Sequence, residues 1–205
     1  MADASPSPIT QADTRTRGRP EVTSRGEIER AAFELFATHG FGGTTLDMIA
    51  GKLGVARRTL FRYFDSKNDI PWGSFEESLA GFEVLLEEFP EEVPLWEAVH
   101  RGVVAFNDFD PEVLTVHRER MRLILSTPAL QAHSALRYQA WRAVIARFVG
   151  SRCSLEPDDL YPRTAGHVSL ALALAAYEQW LDPRETRPLG ELLDAAMRSL
   201  REHLS

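Results

Sequence analysis

Basic and hydroxyl-bearing side chains are concentrated between residues 57 and 67, in the run RRTLFRYFDSK. Guanidinium, ammonium and hydroxyl groups are the donors that bind phosphate oxygens and the edges of bases. We therefore predict that these side chains contact nucleic acid: Arg57, Arg58, Thr59, Arg62, Tyr63 and Lys67. The predicted chemistry is recognition rather than the making or breaking of bonds.

The apolar residues around this run predict the elements that position it. Helical spacing relates Leu46, Ile49, Ala50 and Leu53, and Gly54 then interrupts the helix. A second short helix follows, and we expect Leu53, Val55, Leu60 and Phe64 to form the apolar wedge between the two. In such a helix-turn-helix, the second helix can enter a DNA major groove, with its basic face turned outward. The alternative is an ordinary helical hairpin with a solvated basic face.

The stretch from Thr44 to Lys67 resembles the DNA-binding core of the TetR family of bacterial regulators. The matching residues are Thr44, Thr45, Ile49, Ala50, Gly54, Val55, Thr59, Leu60, Phe61, Tyr63, Phe64 and Lys67. This resemblance adds Thr44 and Thr45 to the expected DNA contacts. The sequence departs from the family pattern at Ala56, where a capping Ser is common, which costs about 1 kcal/mol of helix stability. It also has Phe61 in place of the usual Tyr.

Charge is divided unevenly along the 205 residues, whose net charge is -7. Residues 1–68 hold 10 basic and 8 acidic side chains, a net of +2, which leaves -9 for the rest. The basic excess thus coincides with the predicted DNA-binding region. One cysteine, Cys153, excludes an intrachain disulfide and indicates a reducing compartment. The longest apolar run is too short to cross a bilayer, so we predict a cytoplasmic protein without membrane contact.

The first 22 residues are rich in Pro, Ser, Thr and charge, which predicts a disordered basic arm. Within the arm, Arg17, Gly18 and Arg19 resemble the core of AT-hook peptides, which lie in narrow minor grooves. Arg17 and Arg19 are therefore predicted DNA contacts. A merely solubilising tail is an equal alternative.

The rest of the chain predicts an all-α fold of about nine helices. Ser24 and Glu27 form a capping box for the first helix, which we expect to end at a left-handed Gly40. Ser66 should start a connecting helix that Pro71 kinks. Proline-containing breaks then separate five further helices. The predicted domains are a helix-turn-helix domain at 23–68 and an effector-binding and dimerisation domain at 69–205.

The last two helices carry apolar faces that need to be buried. One stripe comprises Leu189, Leu192, Leu193, Ala196, Met197, Leu200 and Leu204. The preceding helix has a face of small residues, Gly166, Ser169, Ala173 and Ala176. Packing within one chain could cover both faces. The family resemblance instead implies a homodimer joined by these helices, which would bind a pseudo-palindromic operator on double-stranded DNA.

The middle helices are rich in aromatic residues, which is typical of plain core. The resemblance, however, implies a site for a small apolar ligand there. We predict that its apolar wall is formed by Phe82, Trp96, Phe106, Met121, Leu125, Tyr138 and Trp141. Arg118 and Arg122 are the predicted cations of this site. Segments such as SKNDIPWG, FNDFDPE and AAYEQWL resemble the mycofactocin-system branch of the family. That branch implies repression of a mycofactocin-type operon, relieved by long-chain acyl-CoA. A different operon and apolar effector remain an alternative.

Two other classes of function compete with a regulator. An enzyme is disfavoured because no nucleophile elbow, Walker loop, dinucleotide motif or HExxH motif occurs, and the six histidines lack metal-ligand spacing. We therefore predict neither a catalytic residue, a metal nor a cofactor. The second rival is a helical interaction protein that does not bind DNA.

Overall fold

The computed structural model describes residues 23–203, with side chains described as far as residue 199. This part of the chain forms nine α-helices and no strand, which confirms the all-α prediction. The helices are α1 (Arg25–Gly43), α2 (Leu46–Leu53), α3 (Arg57–Leu60), α4 (Phe75–Glu87), α5 (Leu95–Phe106), α6 (Pro111–Ser126), α7 (Pro128–Cys153), α8 (Leu160–Leu181) and α9 (Leu189–His203). A 3₁₀ segment, Lys67–Trp72, precedes α4. The arm with Arg17 and Arg19, and the side chains of Leu200 and Leu204, lie outside the described part.

Local hydrogen bonds explain where the first helices start and stop. At the start of α1, the N–H of Ser24 donates to the Glu27 carboxylate at 2.8 Å, and the N–H of Glu27 donates to the Ser24 hydroxyl at 3.3 Å. This is the predicted capping box. The hydroxyl of Thr45 accepts from the N–H of Met48 at the start of α2, and Gly54 ends α2 in the left-handed conformation. The N-cap of α3, Ala56, makes no side-chain capping bond.

Two predicted helix boundaries are corrected by the structure. Gly40 does interrupt α1, but at φ 70° and ψ 164° it is not in the left-handed helical conformation, and a further helical turn reaches Gly43. The connecting helix is not an α-helix with a kink. The chain instead forms the 3₁₀ segment and breaks at Gly73, whose φ of 51° and ψ of -126° strongly favour glycine. Pro71 has no N–H to donate, which disfavours a continuous α-helix here.

We call α1, α2 and α3 the N-terminal unit and α4–α9 the body. The core of the N-terminal unit contains Ile28, Ala32, Phe36, Phe41, Ile49, Ala50, Leu60 and Phe64. Ile70 of the 3₁₀ segment and Leu130 of α7 are fully buried in the same core. The body is thus packed directly against the N-terminal unit, because its residues complete that unit's core.

In the body, α8 packs closely against α7 and α9. A Cβ atom at Gly166 would lie 2.7 Å from the carbonyl oxygen of Arg142, so only glycine allows this approach of α8 to α7. The predicted small face of α8 and the stripe residues Leu189, Leu192, Leu193 and Met197 of α9 are buried within the single chain. These faces therefore do not themselves require a partner. No helix in the described part is long and apolar enough to cross a membrane.

Candidate nucleic-acid interface and ligand cavity

The surface of α3 carries the basic residues that the sequence predicted to contact DNA. Arg57, Arg58 and Arg62 are exposed, and Thr59 is half-buried. Arg57 forms a surface ion pair with Asp47 at 3.2 Å, which holds its guanidinium close to α2. Such an exposed pair contributes little to stability and can exchange for a phosphate. Beneath this surface, buried Leu60 and half-buried Leu53 and Val55 pack on the core of the N-terminal unit, as predicted.

The paired threonines at the start of α2 have different roles from each other. Thr44 is fully buried, and its hydroxyl donates to the carbonyl oxygen of Gly40 at 2.9 Å. A buried hydroxyl that is already bonded cannot contact DNA, so its prediction as a DNA contact is corrected to a structural role. Thr45 is exposed and caps α2. Its hydroxyl and the first N–H groups of α2 are compatible with a phosphate contact.

Tyr63 and Lys67 do not point freely outward, contrary to the prediction. The Tyr63 hydroxyl donates to the carbonyl oxygen of Thr23 at 2.6 Å, which ties α3 to the start of α1. The Lys67 ammonium donates to the carbonyl oxygens of Phe41 and Thr44, both at 2.7 Å, and lies 4.4 Å from the centre of the Phe41 ring. Burial lowers the pKa of Lys67. Two of its three N–H donors thus stabilise the end of α1 and the turn into α2.

Phe61, which stands where the family pattern usually has Tyr, is an exposed aromatic residue of this surface. Its side chain is 46% exposed, and the Arg57 guanidinium lies 5.7 Å from its ring centre. An exposed aromatic ring on a basic helix can contact a thymine methyl group or a sugar. Its position in the run TLFRYF was the available signal, because the predicted wedge uses Leu60 and Phe64 and does not include Phe61.

A cavity of about 490 Å³ lies in the body. Its wall is mainly aromatic and aliphatic, with side chains from the 3₁₀ segment and from α4, α5, α6, α7 and α8. The lining residues that are exposed are all small, namely Ser74, Ser78, Gly81 and Ala105. The cavity therefore opens between α4 and α5. Its volume is in the range of small-molecule binding sites.

Five of the nine predicted ligand-binding residues line this cavity: Phe82, Phe106, Met121, Tyr138 and Trp141. The other four do not line it and are corrected. Trp96 and Leu125 pack half-buried against the body core, and Arg122 is exposed. The Arg118 guanidinium donates to the carbonyl oxygen of Trp180 at 2.7 Å and stacks on its indole. Their helices contribute to the cavity wall, but these four side chains are not among the residues that line it.

Several lining residues were not predicted, among them Trp72, Phe75, Asn107, His117, Arg120, Ile124, Leu170, Leu174 and Tyr177. For α6 a signal was available. Relative to Met121, His117 lies four residues earlier, Arg120 one residue earlier and Ile124 three residues later. These spacings place the three side chains next to Met121 on one helix face. Arg118, three residues before Met121, lies on the other flank of Met121 and packs on Trp180, and Arg122 is exposed, so neither predicted cation lines the cavity.

A chain of polar groups forms part of the cavity wall. His117 Nε2 lies 2.7 Å from the Tyr177 hydroxyl oxygen, and that hydroxyl donates to the Asn107 side-chain oxygen at 2.6 Å. Because the single hydroxyl proton goes to Asn107, His117 Nε2 must be the protonated nitrogen that donates to Tyr177. Burial, together with the nearby charge of Arg120, lowers the pKa of His117 to about 4. The imidazole is therefore neutral near pH 7.

Arg120 is the charged residue of the cavity wall within the described part of the chain. Its guanidinium also donates to the carboxylate of Glu29 on α1 at 2.7 Å, and the two side chains are only 24% and 16% exposed. A second connection joins Asp69 to His133 at 2.8 Å and to Arg137 at 3.1 Å. Burial would raise the pKa of Asp69, but hydrogen bonds from Ser66, His133 and Arg137 hold it below its ordinary value.

Comparison with known proteins agrees with this architecture. A family model described as bacterial regulatory proteins, tetR family, matches residues 28–70, and one described as MftR C-terminal domain matches residues 93–205. The chain is 46% identical over 179 residues to a protein of Mycobacterium tuberculosis named as a mycofactocin biosynthesis transcriptional regulator, MftR. That alignment covers 87% of this chain and 90% of the relative.

Two solved structures share the fold at low sequence identity. One is Thermus thermophilus FadR in complex with lauroyl-CoA, with a TM-score of 0.58 and 22% identity, covering 89% of this chain and 95% of that chain. The other is FadR from Bacillus subtilis in complex with stearoyl-CoA, with a TM-score of 0.57 and 20% identity, covering 87% of this chain and 98% of that one. At these identities the two structures show that the fold is shared.

Proposed function

Because the chain belongs to the TetR family of bacterial regulatory proteins and is a transcriptional regulator rather than an enzyme, we propose that it represses a mycofactocin-type operon in the cytoplasm. In this proposal a homodimer binds a pseudo-palindromic operator, and a long-chain acyl-CoA releases it. The observation that carries the proposal is the exposed surface of α3. There Arg57 and Arg58 project from α3, Phe61 and Arg62 project from the turn that follows it, and α1 and α2 brace this segment through the core of the N-terminal unit.

The chemistry of this surface suits a DNA major groove, which admits one α-helix. Arginines at the start of a recognition helix can donate two hydrogen bonds to guanine, and a neighbouring hydroxyl such as Thr59 can donate to phosphate. The body, which carries the acidic excess, lies away from the DNA in this arrangement. We propose Arg57, Arg58, Thr59, Arg62 and Thr45 as the DNA contacts, with Phe61 added.

A dimer is needed to bind two operator half-sites, and α8 offers a surface for it. Val168, Ala171, Leu172 and Ala175 follow each other at helical spacing and are exposed or half-exposed in the single chain. Small side chains at these positions allow a second copy of α8 to approach closely. A two-fold axis through this stripe would present two α3 helices to two half-sites related by the same symmetry.

The effector proposal depends on the cavity. Its aromatic and aliphatic wall can bury an acyl chain, and its opening between α4 and α5 would leave the nucleotide part of a coenzyme A thioester outside. The two FadR structures contain lauroyl-CoA and stearoyl-CoA in proteins of the same fold, which supports this ligand class. The ligand would release DNA only if it binds more tightly to a conformation that cannot contact both half-sites.

Two measurements test the proposal. A footprint on the DNA upstream of the protein's own gene should show protection of two half-sites, centred about one helical turn of about 10 base pairs apart or a multiple of it. Titration of oleoyl-CoA, below its micelle concentration, into the protein–operator complex should then displace the DNA. If neither oleoyl-CoA nor palmitoyl-CoA displaces the DNA, the proposed acyl-CoA effector is rejected, while the role as a DNA-binding regulator stands. If no footprint is found, the proposed operator upstream of the protein's own gene is rejected.

A further inference from the structure

Arg120 belongs both to the cavity wall and to the contact between the body and the N-terminal unit. From α6 it lines the cavity, and from the same guanidinium it donates to Glu29 on α1. The connection through Asp69, His133 and Arg137 joins the 3₁₀ segment to α7, and these residues do not line the cavity. Among the hydrogen bonds described between α1 and the body, the one from Arg120 to Glu29 thus involves a residue of the cavity wall.

Arg120 has donor capacity that its present partner does not use. A guanidinium has five N–H donors, and its Nε is buried with no hydrogen-bond partner in the described part of the chain. A buried donor without a partner costs free energy, so an acceptor that reaches Arg120 from the cavity gains by satisfying it. Apolar side chains dominate the rest of the wall, which leaves Arg120 as the strongest donor for a carbonyl oxygen.

The backbone next to this ion pair forms a break between the two parts. A Cβ atom at Gly73 would lie 2.9 Å from an Arg120 nitrogen and 2.9 Å from a Glu29 oxygen, so the ion pair packs directly over Gly73. Arg25 also donates to the Gly73 carbonyl oxygen, at 3.1 Å. Gly73 has a positive φ and separates the 3₁₀ segment from α4. Loss of the ion pair would therefore remove the side chains packed over Gly73 and loosen the backbone between the 3₁₀ segment and α4.

We propose that the acyl carbonyl oxygen of the ligand accepts a hydrogen bond from the unpaired Nε of Arg120, that the guanidinium turns towards the cavity to donate it, and that this exchange of Glu29 for the carbonyl frees α1 from α6. This inference rests on the proposed acyl-CoA effector and names the residues through which it acts. In the ligand-free protein, Arg120 holds α1 in the orientation that contacts DNA. With the carbonyl bound, Glu29 loses its partner, and the N-terminal units of a dimer no longer keep the spacing of the two half-sites.

The first test compares the operator Kd with and without saturating stearoyl-CoA. Allosteric coupling factors are commonly about 5- to 150-fold. We expect the factor by which stearoyl-CoA weakens operator binding to fall from its wild-type value to nearly one in Glu29→Gln, while direct titration shows that stearoyl-CoA still binds. The matched control is Glu34→Gln, which removes an ion pair of α1 with Lys52 inside the N-terminal unit. It should keep the wild-type factor.

The second test uses S-octadecyl-CoA, a thioether with the chain length and head group of stearoyl-CoA but without the carbonyl oxygen. We expect S-octadecyl-CoA to bind the protein. At least about tenfold more of it than of stearoyl-CoA should be needed to release the operator. If Glu29→Gln does not fold, the double variant Glu29→Gln with Arg120→Met removes both partners and should show the same loss of coupling.

The outcomes separate this inference from the proposed function. If stearoyl-CoA still weakens operator binding by the wild-type factor in Glu29→Gln, or in the folded double variant, the proposed exchange at Arg120 is overturned. The acyl-CoA effector would still stand. Equal release by the thioether would overturn it as well. A wild-type protein that binds the operator but none of stearoyl-CoA, oleoyl-CoA and palmitoyl-CoA would reject the effector, and the exchange with it.

Discussion

The ammonium nitrogen of Lys67 lies 2.7 Å from the carbonyl oxygen of Thr44, and the same nitrogen donates to Phe41 at the end of α1. Hydrogen bonds to a charged group are each worth about 1.5–3 kcal/mol. Lys67→Met should therefore lower the free energy of unfolding by about 2 kcal/mol or more. Thermal or urea unfolding of the variant measures this loss.

The salt dependence of operator binding distinguishes this role of Lys67 from a phosphate contact. Losing one phosphate contact reduces the slope of log K against log salt by about 0.9. We expect Lys67→Met to leave the slope almost unchanged at a temperature where the variant is folded. A slope reduced by a full contact, with unchanged stability, would contradict the structural role.

Arg58 on α3 should show the opposite behaviour. Its side chain is exposed, so Arg58→Ala should change the free energy of unfolding by less than about 0.5 kcal/mol. Operator binding should weaken by about 1–3 kcal/mol if Arg58 contacts a base edge. Gel-shift or anisotropy titration measures the change. Arg163→Ala, which removes an exposed charge from α8, is the control and should bind the operator like the wild type.

His117 should make stability depend on pH. Its pKa is about 4 in the folded protein against an ordinary value of 6.5, so between these values the unfolded chain binds more protons. Stability should therefore fall as the pH is lowered from 6.5 to 4, by up to about 3 kcal/mol from this group. His117→Gln keeps an N–H for Tyr177 and should flatten this part of the profile, as followed by urea unfolding at each pH.

The control for His117 is His39→Gln, which changes an exposed histidine on α1 and should keep the wild-type profile. Other acidic groups titrate in the same range, so the informative quantity is the difference between the variant and the wild type. If the stability profile of His117→Gln is identical to that of the wild type, burial of His117 does not contribute to the pH dependence of stability.

Gly81 gives access to the cavity without disturbing the core. No atom lies within 4 Å of the position of a Cβ there, and the residue is exposed in the wall on α4. Gly81→Trp should cover the opening, weaken the binding of oleoyl-CoA at least about tenfold, which is about 1.4 kcal/mol, and leave operator affinity unchanged. Gly81→Ala adds only a methyl group and is the control. Unchanged oleoyl-CoA affinity in Gly81→Trp would place the ligand elsewhere.

The sequence was most informative where structure depends on near neighbours in the chain. Helix starts such as the Ser24 capping box, and breaks at glycine and proline, involve groups within a few residues, so their types and spacing predict them. The wedge of Leu60 and Phe64 follows for the same reason. Two local features differed from the prediction: Gly40 is not in the left-handed helical conformation, and a 3₁₀ segment that ends at Gly73 replaces the predicted connecting helix kinked at Pro71.

The sequence by itself determined an all-helical chain with a basic helix-turn-helix, because apolar periodicity, capping residues and charge are properties of local segments. Only the tertiary structure decided which side chains serve the surface or the cavity. Lys67 meets the carbonyl of Phe41, 26 residues earlier, and Arg120 meets Glu29, 91 residues earlier. Contacts over such separations depend on how the helices pack. Rotating a helix about its axis by the angle between successive residues would turn a lining side chain to solvent.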